Sequence, residues 1–294
     1  MAKSNVHRES DPDRKIKTVI IVTLVVAGLS LLSWYIMERR AERAHRLKVA
    51  GDAARRMISW RSIEGGRFQM GSNSAGENTR PAHAVQISTF LLSRTEVTVS
   101  QYKPCVEAKV CKAPGEGEQC NWGRADRSEH PVNCLSWDDA RIFAQWIGGD
   151  LPTEAEWEFA ARSRGVYDRF PWGDELPSCR YTVMNDGGHG CGKGSTAEVC
   201  SRQHGHSKEE LCDMIGNVSE WVRDSYHESY EGAPRDGRPY CSQADCSERR
   251  GYRISRGGSW YEDEIASLDA IYREREPAYG RYFYLGFRVR QDPE

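Results

Sequence analysis

The sequence predicts an α+β protein that is rich in loops, has little regular secondary structure and is preceded by one transmembrane helix. Three observations support this prediction. From Trp60 onward the apolar runs are short, and the 294-residue chain contains 27 glycines and 12 prolines, which interrupt regular structure. The chain also carries 10 cysteines, enough to hold long loops in place by disulfides. One uncharged apolar run, residues 18–37, stands apart from the otherwise polar chain.

The composition excludes two broad classes of protein. Lys plus Arg number 41 and Asp plus Glu number 43, so the net charge of −2 argues against a nucleic-acid binder that relies on bulk positive charge. Because 29% of the residues are charged, the chain is not a polytopic membrane protein. Aromatic residues make up 10% of the chain, which is too many for a disordered protein.

Residues 18–37 are predicted to form a transmembrane helix. The run has no charged residue and, at about 1.5 Å per residue, it reaches about 30 Å, the thickness of a bilayer core. The alternatives are a cleaved signal peptide and a buried core helix, but no small-residue cleavage site follows the run. We expect residues 1–17 to form a cytoplasmic tail and residues 38–57 to form a juxtamembrane helical stalk.

The orientation of this helix is predicted from the cysteines, because basic residues flank the run equally and the positive-inside rule gives no answer. All cysteines lie after residue 100 in close pairs: Cys105 and Cys111, Cys120 and Cys134, Cys179 and Cys191, Cys200 and Cys212, Cys241 and Cys246. An even, clustered set predicts disulfides and places the C-terminal body outside the cytosol. Zinc is the alternative, but no C-x-x-C occurs. Many pairings are possible, and the sequential one is only the simplest.

Three helices are predicted after the stalk. One begins after Ser136, where apolar residues recur at helical spacing. Another begins after Thr153, which forms a capping box with Glu156 three residues on. A third is expected after Thr98, although Pro104 lies inside it.

The strand candidates are short. They cover residues 84–92, 253–255 and 286–290. The remaining sequence is typical of ordered loop, which needs disulfides, bound ions or aromatic anchors for support. We therefore interpret residues 58–294 as one compact domain.

Several short blocks occur in a fixed order along this domain. They are FQMGS at 68–72, EVT at 96–98, QY at 101–102, HPVN at 130–133, LPTEAEWE at 151–158, PWG at 171–173, DMIGNVSEW at 213–221, RGGSW at 256–260 and LGFR at 285–288. Their order resembles the formylglycine-generating enzyme (sulfatase-modifying factor) family over about residues 62–291. The resemblance implies a loop-rich α+β fold related to C-type lectins.

The resemblance also implies a structural calcium ion. Matched by position, its ligands would be the carboxylates of Asp213 and Glu220 and the backbone carbonyls of Gly216 and Val218. Calcium takes about six to eight oxygen ligands of these kinds. The alternative is that both carboxylates accept backbone hydrogen bonds in a turn. A second calcium ion is implied near residues 185–192, where the sequence has diverged from the family pattern.

The chain departs from the family at the catalytic centre. Active members oxidise a cysteine of a client sulfatase to formylglycine with oxygen and a copper ion held by two cysteine thiolates. Counting from the RGGS block places Glu262 and Ser267 at those two positions, whereas the active-site serine is matched by Ser259. A carboxylate and a hydroxyl are hard donors that do not hold Cu(I) as thiolates do. The sequence therefore predicts a retained fold without catalytic residues, and copper is not expected.

No other catalytic machinery is indicated. The chain has no G-x-S-x-G, H-E-x-x-H or P-loop pattern. His204 and His206 lie close in sequence, but a firm metal site needs about three or four ligands, so we interpret them as exposed polar residues.

Ligand or partner binding is predicted in the segment after Ser259. The predicted residues are Trp260, Tyr261, Glu262, Asp263 and Glu264. Acidic side chains favour a basic peptide or partner by charge complementarity, and Tyr and Trp often anchor interfaces. The alternative is an exposed acidic rim without a ligand.

Two hypotheses of function remain. The first is a non-catalytic recognition or scaffold protein that is anchored by one helix in the bacterial inner membrane, with a cytoplasmic N-terminus and a periplasmic C-terminal domain. Its expected partners are inner-membrane or periplasmic envelope proteins, with a glycan or peptidoglycan as a further possibility and nucleic acid excluded. The second is a protein-modifying oxidoreductase that makes formylglycine from a client cysteine with an altered active site.

Overall fold

The computed structural model describes residues 12–167, 169–241 and 251–293, and for residues 12–28 it describes only the backbone. The chain divides into two compact units, Met1–Val49 and Ala50–Glu294. Helix α1, Pro12–Arg55, provides the described part of the first unit and the first residues of the second. In the second unit Ala54 is buried in the hydrophobic core, so this unit begins before residue 58.

The predicted transmembrane helix falls within α1, whose backbone is helical throughout residues 18–37. Residues 18–28, the larger part of it, lie outside the residues whose side chains are described, as do residues 1–11 of the predicted tail. Among the side chains that are described, no helix is both long enough and apolar enough to cross a membrane.

The three predicted helices of the domain are confirmed. They are α2, Val99–Glu107, α3, Trp137–Trp146, and α4, Glu154–Ala161. Each begins with a capping box in which the side chain of Thr98, Ser136 or Thr153 accepts a hydrogen bond from the backbone N–H three residues on. These reciprocal bonds satisfy N–H groups that a helix start leaves without partners. Helix α2 accommodates Pro104 in its interior.

The described strands form three small sheets. The strands are β1, Trp60–Ile63; β2, Gly66–Met70; β3, His83–Ile87; β4, Phe90–Ser93; β5, Ser219–Ser225; β6, Tyr252–Arg256; β7, Glu274–Pro277; β8, Leu285–Gly286; and β9, Arg290–Gln291. Their orders are β1-β4-β9, β2-β3 and β7-β6-β5-β8, and all pairs are antiparallel except β5 with β8.

Two strand predictions were wrong in extent. Residues 84–92 form β3 and β4 rather than one strand, because β3 pairs with β2 whereas β4 pairs with β1 and β9. The break lies at Thr89, whose hydroxyl accepts a hydrogen bond from the Gly65 N–H at 3.0 Å. Residues 286–290 likewise divide between β8 and β9, which belong to different sheets. The strand predicted at 253–255 is confirmed as β6.

The four-stranded sheet separates two hydrophobic cores. Val222 of β5 and Ile254 of β6 pack into one core, which also contains Trp157. Trp221 of β5 packs on the opposite side with Trp137. Successive side chains of a strand point to opposite faces, so both faces of this sheet are buried.

The predicted disulfides are largely confirmed. Four sequential pairs form bonds: Cys105 with Cys111, Cys120 with Cys134, Cys179 with Cys191, and Cys200 with Cys212. Cys241 is also disulfide-bonded, and Cys246 lies outside the described residues. The bonds tie together the long loops between the helices and the central sheet.

Buried ion pairs join α4 to the central sheet. The Arg256 guanidinium lies 2.6 Å from the Glu158 carboxylate, and the Arg273 guanidinium lies 2.6 Å from the Glu154 carboxylate. All four side chains are at most 1% exposed. Burial would raise the pKa of Glu154, but Arg273 and Arg256 outweigh it and hold that pKa below its usual value. These contacts fix the end of β6, from which the candidate site begins.

Candidate functional site

A tight turn after β6 positions the segment that matches the family's catalytic centre. Gly257 and Gly258 have φ angles of +93° and +65°. A Cβ at Gly257 would lie 2.7 Å from the Met214 carbonyl oxygen, and one at Gly258 would lie 2.6 Å from the Ser267 carbonyl oxygen. Only glycine fits both the backbone conformation and this space. The turn therefore brings Ser267 back beside the RGGS block.

Ser259 follows this turn and is fully buried. Its hydroxyl accepts a hydrogen bond from the Tyr261 N–H at 3.3 Å, and its carbonyl accepts one from the Glu262 N–H at 3.2 Å. The retained serine thus holds the next three residues in a compact turn.

The two positions matched to the copper cysteines carry oxygen groups in a partly buried environment. Glu262 is half-buried, and burial together with Asp263 and Glu264 raises the pKa of its carboxyl. Ser267 is buried, and its N–H donates to the Glu264 carbonyl at 3.0 Å. None of the described cysteines is free, so no thiolate is at hand. This arrangement offers hard donors only.

The predicted binding residues differ in accessibility. Trp260 is only 1% exposed, whereas Tyr261 is 43% exposed and Asp263 and Glu264 are also exposed. The Trp260 ring packs 5.6 Å from the Phe283 ring, which places Trp260 at the floor of the region. Tyr261 stacks on His189 with ring centroids 3.9 Å apart.

The loop predicted to hold a second calcium ion packs against this segment. The Asn185 N–H donates to the Glu262 carbonyl at 2.9 Å, and the Gly190 N–H donates to the Trp260 carbonyl at 2.8 Å. The Asp186 carboxylate accepts a hydrogen bond from the Cys179 N–H at 3.2 Å. The loop therefore acts as a wall of the candidate site.

The predicted calcium ligands lie in a buried region behind the RGGS turn. Glu220 receives two hydrogen bonds of 2.6 Å from the Arg288 guanidinium and one of 2.7 Å from the Trp157 indole. Asp213 is buried and accepts a hydrogen bond of 2.5 Å from the Cys200 N–H. The backbone hydrogen bonds considered as the alternative are therefore present at Asp213, whereas Glu220 is paired with side chains.

Glu96 belongs to the same cluster and was missed from the sequence. It is fully buried; one carboxyl oxygen accepts from the Asn217 amide at 3.0 Å, and the carboxyl group also shares a hydrogen bond with Asp213. Burial, Asp213 and Glu220 raise the pKa of Glu96 well above its usual value, and Arg288 only partly opposes them. The sequence contained a signal for this position, because Glu96 lies in the EVT block and Arg288 lies in the LGFR block, and both blocks match the family.

The donors of this cluster are oxygens, the ligand type that a hard cation prefers. Among the described residues, three buried carboxyl groups face the single guanidinium of Arg288, and burial and mutual repulsion raise the pKa values of Glu96 and Asp213. Both Glu220 oxygens already accept hydrogen bonds, but each retains a further lone pair. Oxygen donors of this kind suit calcium.

A second group of possible metal ligands does not form a site. Among the described residues, Cys200, His206 and Cys212 are the one set of three whose ligand atoms lie within 4.8 Å of one another. Cys200 and Cys212 form a disulfide, so neither offers a thiolate. His206 is left as a single candidate ligand.

Two glutamates of β7 adjoin the predicted binding segment and were also missed. Burial and the Glu262 carboxylate raise the pKa of Glu274. Burial raises the pKa of Glu276 to about 7, although the Tyr284 hydroxyl donates a hydrogen bond of 2.9 Å to it. Sequence alone gave little signal for them, since Glu and Arg alternate along this strand and only the sheet decides which face each occupies.

The fold and the RGGS turn define a domain of the sulfatase-modifying class. Residues 48–293 match the family described as "Sulfatase-modifying factor enzyme 1-like domain", and the chain belongs to this family. The resemblance drawn from the sequence blocks is thereby confirmed.

Individual proteins of known sequence or structure are also similar to this chain. The chain is 30% identical to the formylglycine-generating enzyme of Streptomyces coelicolor, covering 67% of this chain and 77% of the enzyme. The solved structure of PvdO from Pseudomonas aeruginosa superposes with a TM-score of 0.67 at 25% identity, over 80% of this chain and 94% of PvdO. The serine/threonine-protein kinase pkn1 of Chlamydia pneumoniae is 32% identical over 67% of this chain, which spans only 32% of that kinase.

We expect Arg288→Met to destabilise the domain by about 3–5 kcal/mol, because it leaves three buried carboxylates without their cation. Urea unfolding at neutral pH, with calcium chelated, measures this loss. In the folded variant the buried carboxyl groups have raised pKa values and favour their protonated form. The variant therefore regains stability as the pH falls below these pKa values and loses stability as the pH rises through them.

The matched control for this prediction is Arg238→Met, which removes an exposed guanidinium paired with Asp236. Exposed ion pairs contribute little, so this variant should unfold like the unaltered chain. Equal effects of the two substitutions would show that Arg288 does not compensate the buried cluster.

Proposed function

We propose that this protein is a non-catalytic, membrane-anchored recognition or scaffold subunit of the bacterial envelope. The observation that carries the proposal is the pair Glu262 and Ser267, which stand where the family's copper-binding cysteines are expected. Hard oxygen donors do not hold Cu(I) as a thiolate pair does, and all the described cysteines form disulfides. Membership of the family supplies the fold, and fold alone does not supply the activity.

The second candidate is a protein-modifying oxidoreductase that makes formylglycine from a client cysteine with an altered active site. The retained Ser259 and the 30% identity to the Streptomyces coelicolor enzyme favour it. A lone serine cannot hold copper. The oxidation needs thiolate ligands for copper, and none of the described cysteines is free.

Restoring the thiolates tests the first candidate. We expect the double variant Glu262→Cys with Ser267→Cys to gain Cu(I) binding, because Ser267 returns beside the RGGS turn and two thiolates suit Cu(I). Competition with a chromophoric Cu(I) chelator measures the gain, which should exceed the copper binding of the unaltered chain by at least tenfold in affinity, as a rough bound for a soft ligand pair.

The control variant, Asp263→Cys with Ser267→Cys, carries the same number of thiols with one displaced by a residue. It should bind Cu(I) more weakly than the double variant at the matched positions. Oxidation of a cysteine-containing peptide by the unaltered chain, with copper and oxygen present, would establish the oxidoreductase candidate instead.

We place the domain in the periplasm, anchored through residues 18–37 in the inner membrane with a cytoplasmic N-terminus. The uncharged run supports the anchor, and the disulfides support an oxidising compartment. Envelope proteins are the expected partners, with a glycan or peptidoglycan as a further ligand class.

This placement is tested in spheroplasts. Added protease should digest the C-terminal domain of the intact chain while a cytoplasmic marker protein stays protected, because the domain would face the protease. Extraction in mild detergent should then recover envelope proteins in stoichiometric amounts. Protection of the domain in sealed spheroplasts would contradict the topology, and a chain that is extracted alone would contradict the accessory role.

We also propose that calcium stabilises the fold through Asp213, Glu220 and the carbonyls of Gly216 and Val218. At about 100 times its dissociation constant, an ion that binds only the folded state adds about 2.7 kcal/mol. Thermal unfolding of the chain should therefore shift upward with Ca²⁺ and far less with Mg²⁺, and Asp213→Ala should abolish the shift. Asp236→Ala, which removes an exposed carboxylate, should keep it. No difference between chelated and calcium-loaded protein would exclude this role.

A further inference from the structure

We infer that a cavity next to the degenerate centre binds a sugar that carries a carboxylate. This inference rests on the proposed recognition function, in which a glycan is one ligand class, and it narrows that class to an acidic sugar. The cavity lies between the loop at residues 71–79 and the segment at residues 266–272. None of the residues 260–264 lines it, so it is distinct from the binding segment predicted from the sequence.

The cavity has the size of a small-molecule site. Its volume is about 730 Å³. Protein sites for small ligands typically measure about 300–1,000 Å³ and combine apolar walls with a few polar groups. The walls of this cavity carry both kinds of group, and they come from segments that are distant in sequence.

The loop that forms one wall is held in place by the protein itself. The Gly71 N–H donates to the Glu158 carboxylate at 2.8 Å, and the φ angle of Gly71 is +76°. The Thr79 hydroxyl donates to the Gly76 carbonyl at 2.7 Å, and the Arg80 guanidinium donates to the Ala75 carbonyl at 2.9 Å. A wall that is already ordered lowers the entropy that a ligand loses on binding.

Arg162 belongs to the structural part of the cavity. It is buried, and its guanidinium donates to the Gln69 carbonyl at 2.7 Å and to the Tyr167 carbonyl at 3.0 Å. It also donates to the Glu158 carboxylate at 3.0 Å. These bonds engage Arg162 within the protein, so it supports the wall rather than a ligand.

Arg169 is the group that would recognise a carboxylate. Its Nε donates to the Asp269 carboxylate at 2.6 Å, and its guanidinium packs 4.9 Å from the centre of the Phe170 ring. The two Nη groups make no hydrogen bond to another described residue, and the side chain is 48% exposed. A guanidinium that is fixed through Nε still presents a planar pair of donors, which matches the two oxygens of a carboxylate.

The charges of the cavity also favour an anion. Among the described residues that line it, the charged side chains are Arg162, Arg169 and Asp269. The carboxylate that pairs with Arg162 is Glu158, which also pairs with Arg256 at 2.6 Å. The lining therefore carries more guanidinium than carboxylate, and an added carboxylate meets no excess of negative charge.

The other polar groups of the lining suit hydroxyls. The Asp269 carboxylate only accepts hydrogen bonds, and the Asn78 amide already donates to the Arg273 carbonyl at 3.3 Å, which leaves its oxygen as an acceptor. The Ser72 and Ser74 hydroxyls share one hydrogen bond of 3.1 Å, so one of their two hydrogens can still be donated. A sugar hydroxyl both donates and accepts, which matches this mixture of groups.

The apolar part of the lining suits a ring better than an extended peptide. Ala75 on the loop faces the cavity, as do Ala266 and Ile271 on the other segment. These side chains can pack against the C–H groups of a sugar ring. Peptides are often bound by adding a strand to an exposed sheet edge, and no residue that lines this cavity belongs to a described strand.

The test is a ligand-observed NMR titration of the full chain in detergent. The probes are D-glucuronate, its neutral amide D-glucuronamide, acetate, and the α-amide of N-acetylglutamate as an acidic peptide unit. We expect glucuronate to bind at least about tenfold more tightly than glucuronamide, because hydrogen bonds to a charged group are stronger. Acetate and the glutamate derivative should bind more weakly than glucuronate, since they lack the ring hydroxyls.

The first matched variants are Arg169→Gln and Arg275→Gln. Arg169→Gln should weaken glucuronate binding about tenfold and remove the preference over glucuronamide, because the charged donor pair is lost. Arg275 is a suitable control, since its side chain is 46% exposed, pairs with a carboxylate and lies outside the cavity. Its substitution should leave both affinities unaltered.

A second pair of variants removes no charge. Ala266→Phe should fill the cavity and abolish binding of glucuronate and glucuronamide alike. Ile265→Phe places the same ring on the preceding exposed residue, which does not line the cavity, and should keep binding. Near-UV circular dichroism reports whether each variant keeps its fold, and this pair decides the question if Arg169→Gln does not fold.

Several results would overturn the inference. Equal affinities for glucuronate and glucuronamide would exclude recognition of the carboxylate. Acetate or the glutamate derivative binding as tightly as glucuronate would exclude a sugar as its source. Unchanged binding in Ala266→Phe would place the ligand elsewhere. Failure of the sugars with intact co-purification of envelope proteins would remove this inference alone, whereas loss of both would also remove the proposed recognition function.

Discussion

The buried ion pairs between α4 and the central sheet are the constraint on which the rest of the structure depends. Arg256 is the first residue of the RGGS block, and its contact with Glu158 fixes the end of β6 where the two glycines turn the chain. Removing one partner of such a buried pair typically costs about 3–5 kcal/mol, because the other charge is left uncompensated. The geometry of the turn therefore depends on charges outside it.

Carboxylates are compensated to different degrees in three parts of the domain. Glu154 and Glu158 are matched by arginines, and the cluster of Glu96, Asp213 and Glu220 faces Arg288 alone. On the central sheet, Arg253 of β6 lies directly opposite Glu276 of β7. Buried charge is costly unless it is paired, so the arginines that face these carboxylates help to hold the fold together.

Local structure was predictable where a short stretch of sequence contains the whole interaction. The three capping boxes at Thr98, Ser136 and Thr153 each join residues three apart, and all three helices begin where they were expected. The four described disulfides also join neighbours in sequence. Strand pairing is not local: residues 84–92 were taken as one strand because nothing within them shows that β3 and β4 pair with different partners.

By itself, the sequence determined the family and the helix starts, because each depends on the identity and spacing of residues close together in the chain. Only the tertiary structure decided which carboxylates meet. Glu96 joins Asp213 across more than a hundred residues, and Ser255 faces Glu274 only through the register of β6 and β7. Burial and charge compensation arise from contacts between distant segments, so the order of residues along the chain does not reveal which acidic residues are paired.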